Sequence, residues 1–140
     1  MNDVTVIGKK FIGEDKIFQS VENVAKELGL MFEAEKKNYV RVAVPDYGDL
    51  LEIGITSDSG FESDKSKELV LPGYGSIISV HYNNGGEDKD KTLIPFLIEF
   101  LAEYPDMLVF NEDEMPANTD FLIFTLQDLE KYDGSDSNVF

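Results

Sequence analysis

The sequence predicts a single α+β domain: a largely antiparallel sheet of five to seven strands with about three helices packed against it. Three observations support this prediction. Several short segments alternate apolar and polar residues, which is typical of strands with one buried face. Residues 15–28 and 92–104 instead place apolar residues at helical spacing. The middle strands follow one another through short turns, which favours antiparallel pairing.

The composition indicates a globular protein without disulfides or cysteine-bound zinc. The 140 residues are 42% hydrophobic and include 10 Phe and 6 Tyr, enough to bury a core. Without cysteine, the chain forms no disulfide and no thiolate zinc site. Residues 1–5 do not resemble a signal peptide, and no apolar run approaches the ~20 residues needed to span a membrane. We therefore expect a cytoplasmic protein.

The N-terminal part predicts a strand followed by a helix. Alternating apolar residues favour a strand near residues 3–7, and residues 9–13 fit either its hairpin partner or a loop. In residues 15–28 the apolar side chains fall on one helical face. Gly29 then ends the helix, because glycine adopts a positive φ without steric cost.

The middle of the chain predicts an antiparallel meander. Period-two alternation and short turns favour strands at residues 30–35, 39–44 and 51–56. A further strand is predicted at residues 77–82. Residues 57–68 are strongly polar and predict an exposed loop, without the spacing of a calcium-binding loop.

The C-terminal part predicts the core helix and two short strands. Residues 92–104 are apolar around most of the helix, with Thr92 as the expected N-cap and Pro105 as the stop. Short apolar runs at residues 107–110 and 121–124 predict strands. Thr125 and Asp128 resemble a capping box that opens a last helix. The domain is expected to span residues 1–132, followed by a flexible acidic tail at 133–140.

Charge is the strongest indication of function. The net charge is −16, and residues 92–140 hold 11 acidic residues against one base. Such a chain is poorly suited to binding nucleic acid or an anionic membrane, because both require cationic groups. It is suited to a basic protein partner, whose approach the negative field accelerates. Solubility alone also explains an acidic composition.

The sequence contains no pattern that identifies a catalytic, metal or cofactor site. His81 is the single histidine and Arg41 the single arginine. His81 follows no metal-ligand spacing and accompanies no nucleophile elbow, so an ordinary sheet histidine is the simpler interpretation. With 28 acidic residues, some carboxylate pair is bound to occur by chance. We therefore predict a protein that is not an enzyme and carries no cofactor.

The C-terminal region resembles a class of binding proteins. The segments YPDMLVFNEDE and FTLQDLEKY, in a small acidic chain without cysteine, resemble bacterial immunity proteins of polymorphic-toxin systems. The resemblance covers the pattern of residues 93–132. It implies a non-catalytic protein that blocks a basic cognate toxin through acidic and aromatic side chains. By this resemblance the candidate contacts are Glu112, Asp113, Glu114, Asp120 and Tyr74.

Two alternatives remain open from the sequence. The first is a structural or adaptor protein that self-associates through the main helix or an edge strand, giving a homodimer. The second is a hydrolase that uses carboxylates or a divalent metal, which predicts stabilisation by the metal.

Overall fold

The structure, a computed structural model, describes residues 2–36, 39–43, 50–56, 75–82, 92–111 and 123–131. Within these residues there are seven strands and three helices. The strands are β1 (Asn2–Gly8), β2 (Met31–Lys36), β3 (Tyr39–Ala43), β4 (Leu50–Thr56), β5 (Ser76–Tyr82), β6 (Leu108–Asn111) and β7 (Ile123–Phe124). The helices are α1 (Glu14–Glu27), α2 (Ile94–Glu103) and α3 (Leu126–Glu130).

All seven strands join one antiparallel sheet in the order β2-β3-β4-β5-β1-β6-β7. Strands β2, β3 and β4 form the predicted meander, and β5 pairs with β4. Strand β1 lies between β5 and β6, where Val6 is opposite both Ile78 and Val109. At the outer strand β2, the register shifts between Ala34 and Lys36. Such a bulge makes an edge strand a poorer template for pairing with another chain.

The core lies between one face of the sheet and the helices. The sheet contributes residues from every second position of its strands, all buried: Val4, Val6, Val40, Val42, Leu51, Ile53, Ile55, Ile78, Val80, Tyr82 and Val109. The middle helix α2 contacts both α1 and α3 and buries Phe96, Leu97, Phe100 and Leu101. The apolar segment at residues 92–104 is therefore the hydrophobic centre, as its sequence predicts.

The predicted fold class is confirmed: the described residues form an α+β structure with an antiparallel sheet and three helices. Gly29 has a φ of 70° just after α1, as expected of a glycine stop. The capping box is present as well. The Asp128 backbone N–H donates to Thr125 Oγ1, and the Thr125 backbone N–H donates to the Asp128 carboxylate. Among these residues no helix combines the length and apolarity needed to cross a bilayer.

The predicted N-cap role of Thr92 is wrong. The N-cap of α2 is Leu93, and no side chain in the described part of the chain caps this helix. Thr92 is only 1% exposed, and its hydroxyl has no hydrogen-bond partner among the described residues. Pro95 near the start of α2 removes one backbone N–H that a cap would otherwise satisfy. The helix therefore begins without a cap, and Thr92 contributes its methyl group to the buried surface.

Replacing Thr92 with valine is expected to raise the free energy of unfolding by about 1 kcal/mol, because an unpaired buried hydroxyl is removed. The matched change Thr125→Val removes a hydroxyl that caps α3, and should lower the free energy of unfolding by about 1 kcal/mol. Urea denaturation of both variants measures the two effects. A loss of stability in Thr92→Val would show that its hydroxyl has a partner.

Candidate functional site

The five partner-binding residues predicted from the sequence lie outside the described residues. These are Glu112, Asp113, Glu114, Asp120 and Tyr74. Their assignment to a binding surface stays a prediction. The last described residue before this segment is Asn111, at the end of β6.

The helices α2 and α3, with the turn that follows α2, carry a group of carboxylates that we call the acidic helical face. We use this name for Glu99, Glu103, Asp106, Asp128 and Glu130, all of which are at least partly exposed. The two helices pack against each other, and each carries exposed or partly exposed carboxylates. None of the five forms a salt bridge with a described residue. The acidic helical face therefore keeps its negative charge within the described part of the chain.

Three carboxylates of the acidic helical face occupy positions that are electrostatically unfavourable for α2. Glu103 lies in the last turn of α2, which has no basic residue, and Asp106 follows two residues after the helix cap. The C-terminal end of a helix carries partial negative charge and favours cations. Glu99 and Glu103 are also four residues apart, where like charges repel by ~0.2–0.5 kcal/mol. The stability of α2 therefore does not explain why the chain has carboxylates at Glu99, Glu103 and Asp106.

A pocket of about 520 Å³ lies beside one end of this face. Two segments line it, one following β1 and one joining α2 to β6. The lining residues are Gly8, Lys9, Lys10, Ile12, Glu103, Tyr104, Pro105, Asp106 and Met107. The segments meet because β1 and β6 are antiparallel neighbours, so that the end of β1 adjoins the start of β6. The Met107 side chain packs so close to Gly8 that a Cβ atom added to Gly8 would lie 3.0 Å from it.

Backbone and side-chain hydrogen bonds fix the first wall of the pocket. Ser76 Oγ, on β5, accepts from the Ile12 backbone N–H at 2.8 Å and donates to the Lys10 carbonyl at 2.6 Å. The Gly75 backbone N–H donates to the Gly8 carbonyl at 2.9 Å. Because these bonds hold the loop on both sides, Lys9 and Lys10 extend from a backbone of defined shape.

The exposed side of the same loop carries charge and an aromatic ring. Lys9 and Lys10 are exposed, and Phe11 is 67% exposed. The sequence permits either a hairpin partner or a loop at residues 9–13. The structure shows a loop that leads into α1, with Gly13 at the N-cap of that helix.

Ser20 of α1 fixes the second wall. The hydroxyls of Ser20 and Tyr104 lie 2.6 Å apart, and Ser20 Oγ is also 3.0 Å from Glu103 Oε1. Burial raises the pKa of the Tyr104 hydroxyl; the Ser20 hydrogen bond lowers it and the Glu103 charge raises it. Tyr104 therefore stays protonated at neutral pH. Its ring, centred 5.1 Å from that of Phe100, connects the pocket wall to the core.

The sheet face opposite the helices holds a separate polar group. The Tyr39 hydroxyl donates to the Glu52 carboxylate, and Arg41 Nε lies 3.9 Å from Glu52 Oε1. His81 is opposite Glu52 in the register and is partly exposed. No cluster of three potential metal ligands occurs among the described residues.

Sequence reasoning missed the pocket. Its two walls come from residues 8–12 and 103–107, which only the pairing of β1 with β6 brings together. The adjacent lysines at positions 9 and 10 were a weak signal, since the chain has a second such pair at 36 and 37. A scan against protein-family models, a search of curated proteins and a search of solved structures each give no match.

Proposed function

We propose that the protein is a non-catalytic cytoplasmic binding module that covers the surface of a basic protein partner. The observation behind this proposal is the acidic helical face, whose carboxylates have no described cation to neutralise them. Bacterial immunity proteins, which the C-terminal pattern resembles, act in this way on a toxin.

Two observations support a binding role for the acidic helical face. Glu103 and Asp106 stand at the negative end of α2, where carboxylates do not stabilise the helix. Carboxylates that do not stabilise their own helix suit a role in binding. In the sequence, Glu112, Asp113 and Glu114 follow β6 and add three acidic residues to the C-terminal part of the chain. Such a field increases the rate at which a basic protein associates.

The buried side of α2 gives its outer carboxylates a rigid support, which favours binding of a partner without catalysis. Phe96, Phe100 and Leu101 anchor α2 in the core, so its outer carboxylates are held by a buried helix. A rigid element loses little conformational freedom when it docks, which leaves more of the interaction energy for affinity. The proposed mechanism is therefore occlusion: the acidic surface binds a basic surface and blocks its access to other molecules.

Two variants test the role of these carboxylates. The helical variant combines Glu99→Gln with Glu130→Gln, and the loop variant combines Glu112→Gln, Asp113→Asn and Glu114→Gln. Each is expected to bind the partner about tenfold more weakly, because interfacial charge pairs are lost. The measurement is titration calorimetry with the basic protein recovered from a native lysate.

A control separates recognition from overall charge. Glu27→Gln with Glu33→Gln also removes two negative charges, but at the end of α1 and on the sheet face opposite the helices. This control should bind the partner as the wild type does. Equal losses in the control and the helical variant would show that only net charge matters. Unchanged binding by both the helical and loop variants would refute the proposal.

A further inference from the structure

The pocket beside the acidic helical face has a cationic wall and an anionic wall that do not neutralise each other. Lys9 and Lys10 line one side, and Glu103 and Asp106 line the other. No lysine nitrogen of this pair lies within 4.0 Å of a described carboxylate oxygen. The pocket therefore separates two positive charges from two negative charges that form no salt bridge with each other. Binding of a basic protein at the acidic helical face does not account for the two lysines.

We propose that this pocket binds a short zwitterionic peptide with an apolar body. A free C-terminal carboxylate would face Lys9 and Lys10, and a free N-terminal ammonium would face Glu103 and Asp106. Between these walls the pocket offers Ile12, Pro105 and Met107, together with the ring of Tyr104. Its volume of about 520 Å³ falls within the usual range for ligand pockets.

Both walls are organised without a ligand, which favours binding of a small molecule. Ser76 holds the cationic loop through hydrogen bonds of 2.6 and 2.8 Å. On the other side Ser20 lies 3.0 Å from Glu103 Oε1, and the Met107 backbone N–H donates to the Tyr104 carbonyl at 3.1 Å. A preformed site does not have to be ordered during binding, so more of the contact energy contributes to affinity.

The residues that line the pocket favour a ligand that carries one positive and one negative charge. A simple anion would be repelled by Glu103 and Asp106, and a simple cation by Lys9 and Lys10. A neutral apolar molecule would not compensate the charge of any of the four groups. The Tyr104 hydroxyl, 2.6 Å from the Ser20 hydroxyl, is already engaged, so the residue offers mainly its ring to the ligand.

Four dipeptides test the proposal by removing one charge at a time. The probes are phenylalanyl-leucine, its N-acetyl form, its C-terminal amide, and the neutral peptide with both changes. Each is titrated into the ¹⁵N-labelled full chain while backbone amide shifts are recorded. Phenylalanyl-leucine is expected to shift the amides of Gly8, Tyr104 and Met107 with a Kd of about 1 mM or lower, as a preformed pocket permits. Val42 and Ile53, buried in β3 and β4, provide amides that should not move.

The blocked peptides should bind about fivefold more weakly for each charge removed, as expected for partly exposed ion pairs. In the variant Lys9→Gln with Lys10→Gln, amidation of the C-terminus should no longer weaken binding. In Asp106→Asn, acetylation of the N-terminus should weaken binding less than in the wild type. The control Lys16→Gln with Lys26→Gln removes two lysines from α1 and should behave as the wild type does.

Two outcomes would overturn the proposal. One is the absence of shifts at the pocket amides with phenylalanyl-leucine at about 10 mM, well above the expected Kd. The other is equal binding of the neutral and zwitterionic peptides, which would indicate only an apolar patch. Glu99 and Glu130, the residues changed in the helical variant, are not among the described residues that line the pocket, so either proposal can fail without the other.

Discussion

Replacing Phe100 with alanine is expected to lower the free energy of unfolding by about 3–5 kcal/mol, the usual range for a buried Phe→Ala change. Phe100 is 1% exposed and lies in the middle helix of the layer. Its ring is stacked 6.2 Å from that of Phe96 and lies 5.1 Å from that of Tyr104. Alanine would therefore leave a cavity beside two other aromatic rings, and the tightly packed interior can fill it only in part.

Urea denaturation measures this loss, and Phe11→Ala supplies the matched control. Phe11 is 67% exposed, so its removal should change the free energy of unfolding by less than about 0.5 kcal/mol. A domain of this size is stable by only ~5–15 kcal/mol, so the Phe100 variant loses a large fraction of that total. Similar effects of the two changes would contradict the assignment of α2 as the centre of the core.

Gly75→Ala is expected to lower the free energy of unfolding by at least about 1–3 kcal/mol, as overpacking does elsewhere. A Cβ atom at this position would lie 2.8 Å from the Lys9 carbonyl oxygen, 2.9 Å from the Phe11 nitrogen and 3.1 Å from the Lys10 carbonyl carbon. All three are backbone atoms, which cannot move aside by changing a rotamer. The loop that forms the cationic wall would have to shift as a whole.

The control for this change is Gly54→Ala. A Cβ atom on Gly54 would have its nearest neighbours on Ser79 at 4.0 Å, an ordinary contact distance. Alanine in place of a strand glycine should be neutral or stabilise the fold by about 0.5–1 kcal/mol. Thermal denaturation compares the two variants, and amide shifts of Gly8 and Ile12 report movement of the loop. Wild-type stability and shifts in Gly75→Ala would show that the backbones are not in close contact.

The local elements of this fold could be predicted from sequence because their signals are short-range. The apolar stripe of residues 15–28 matches α1, and the alternation in β3, β4 and β5 assigns their faces correctly. Gly29 and the Thr125–Asp128 capping box could be predicted for the same reason, because each motif satisfies backbone groups within a few residues. Such motifs require no knowledge of the rest of the chain.

The order of strands and the pocket could not be predicted because they depend on distant pairings. Nothing in the pattern of residues 3–7 indicates that β1 lies between β5 and β6. The bond from Ile12 to Ser76 joins residues 64 positions apart, and that from Ser20 to Tyr104 joins residues 84 apart. The Thr92 prediction failed for a related reason: tertiary burial determined its environment, whereas capping preference is a local tendency.

The most direct measurement of the proposed function is an affinity pull-down from the native cell lysate, with elution by a salt gradient. The account predicts one specific basic protein that is retained at low salt and released at high salt, because screening weakens the attraction between exposed charges. It also predicts that the variant with changes at Glu112, Asp113 and Glu114 retains much less of this protein. Recovery of the bait alone at both salt concentrations, or equal retention by wild type and variant, would contradict the account.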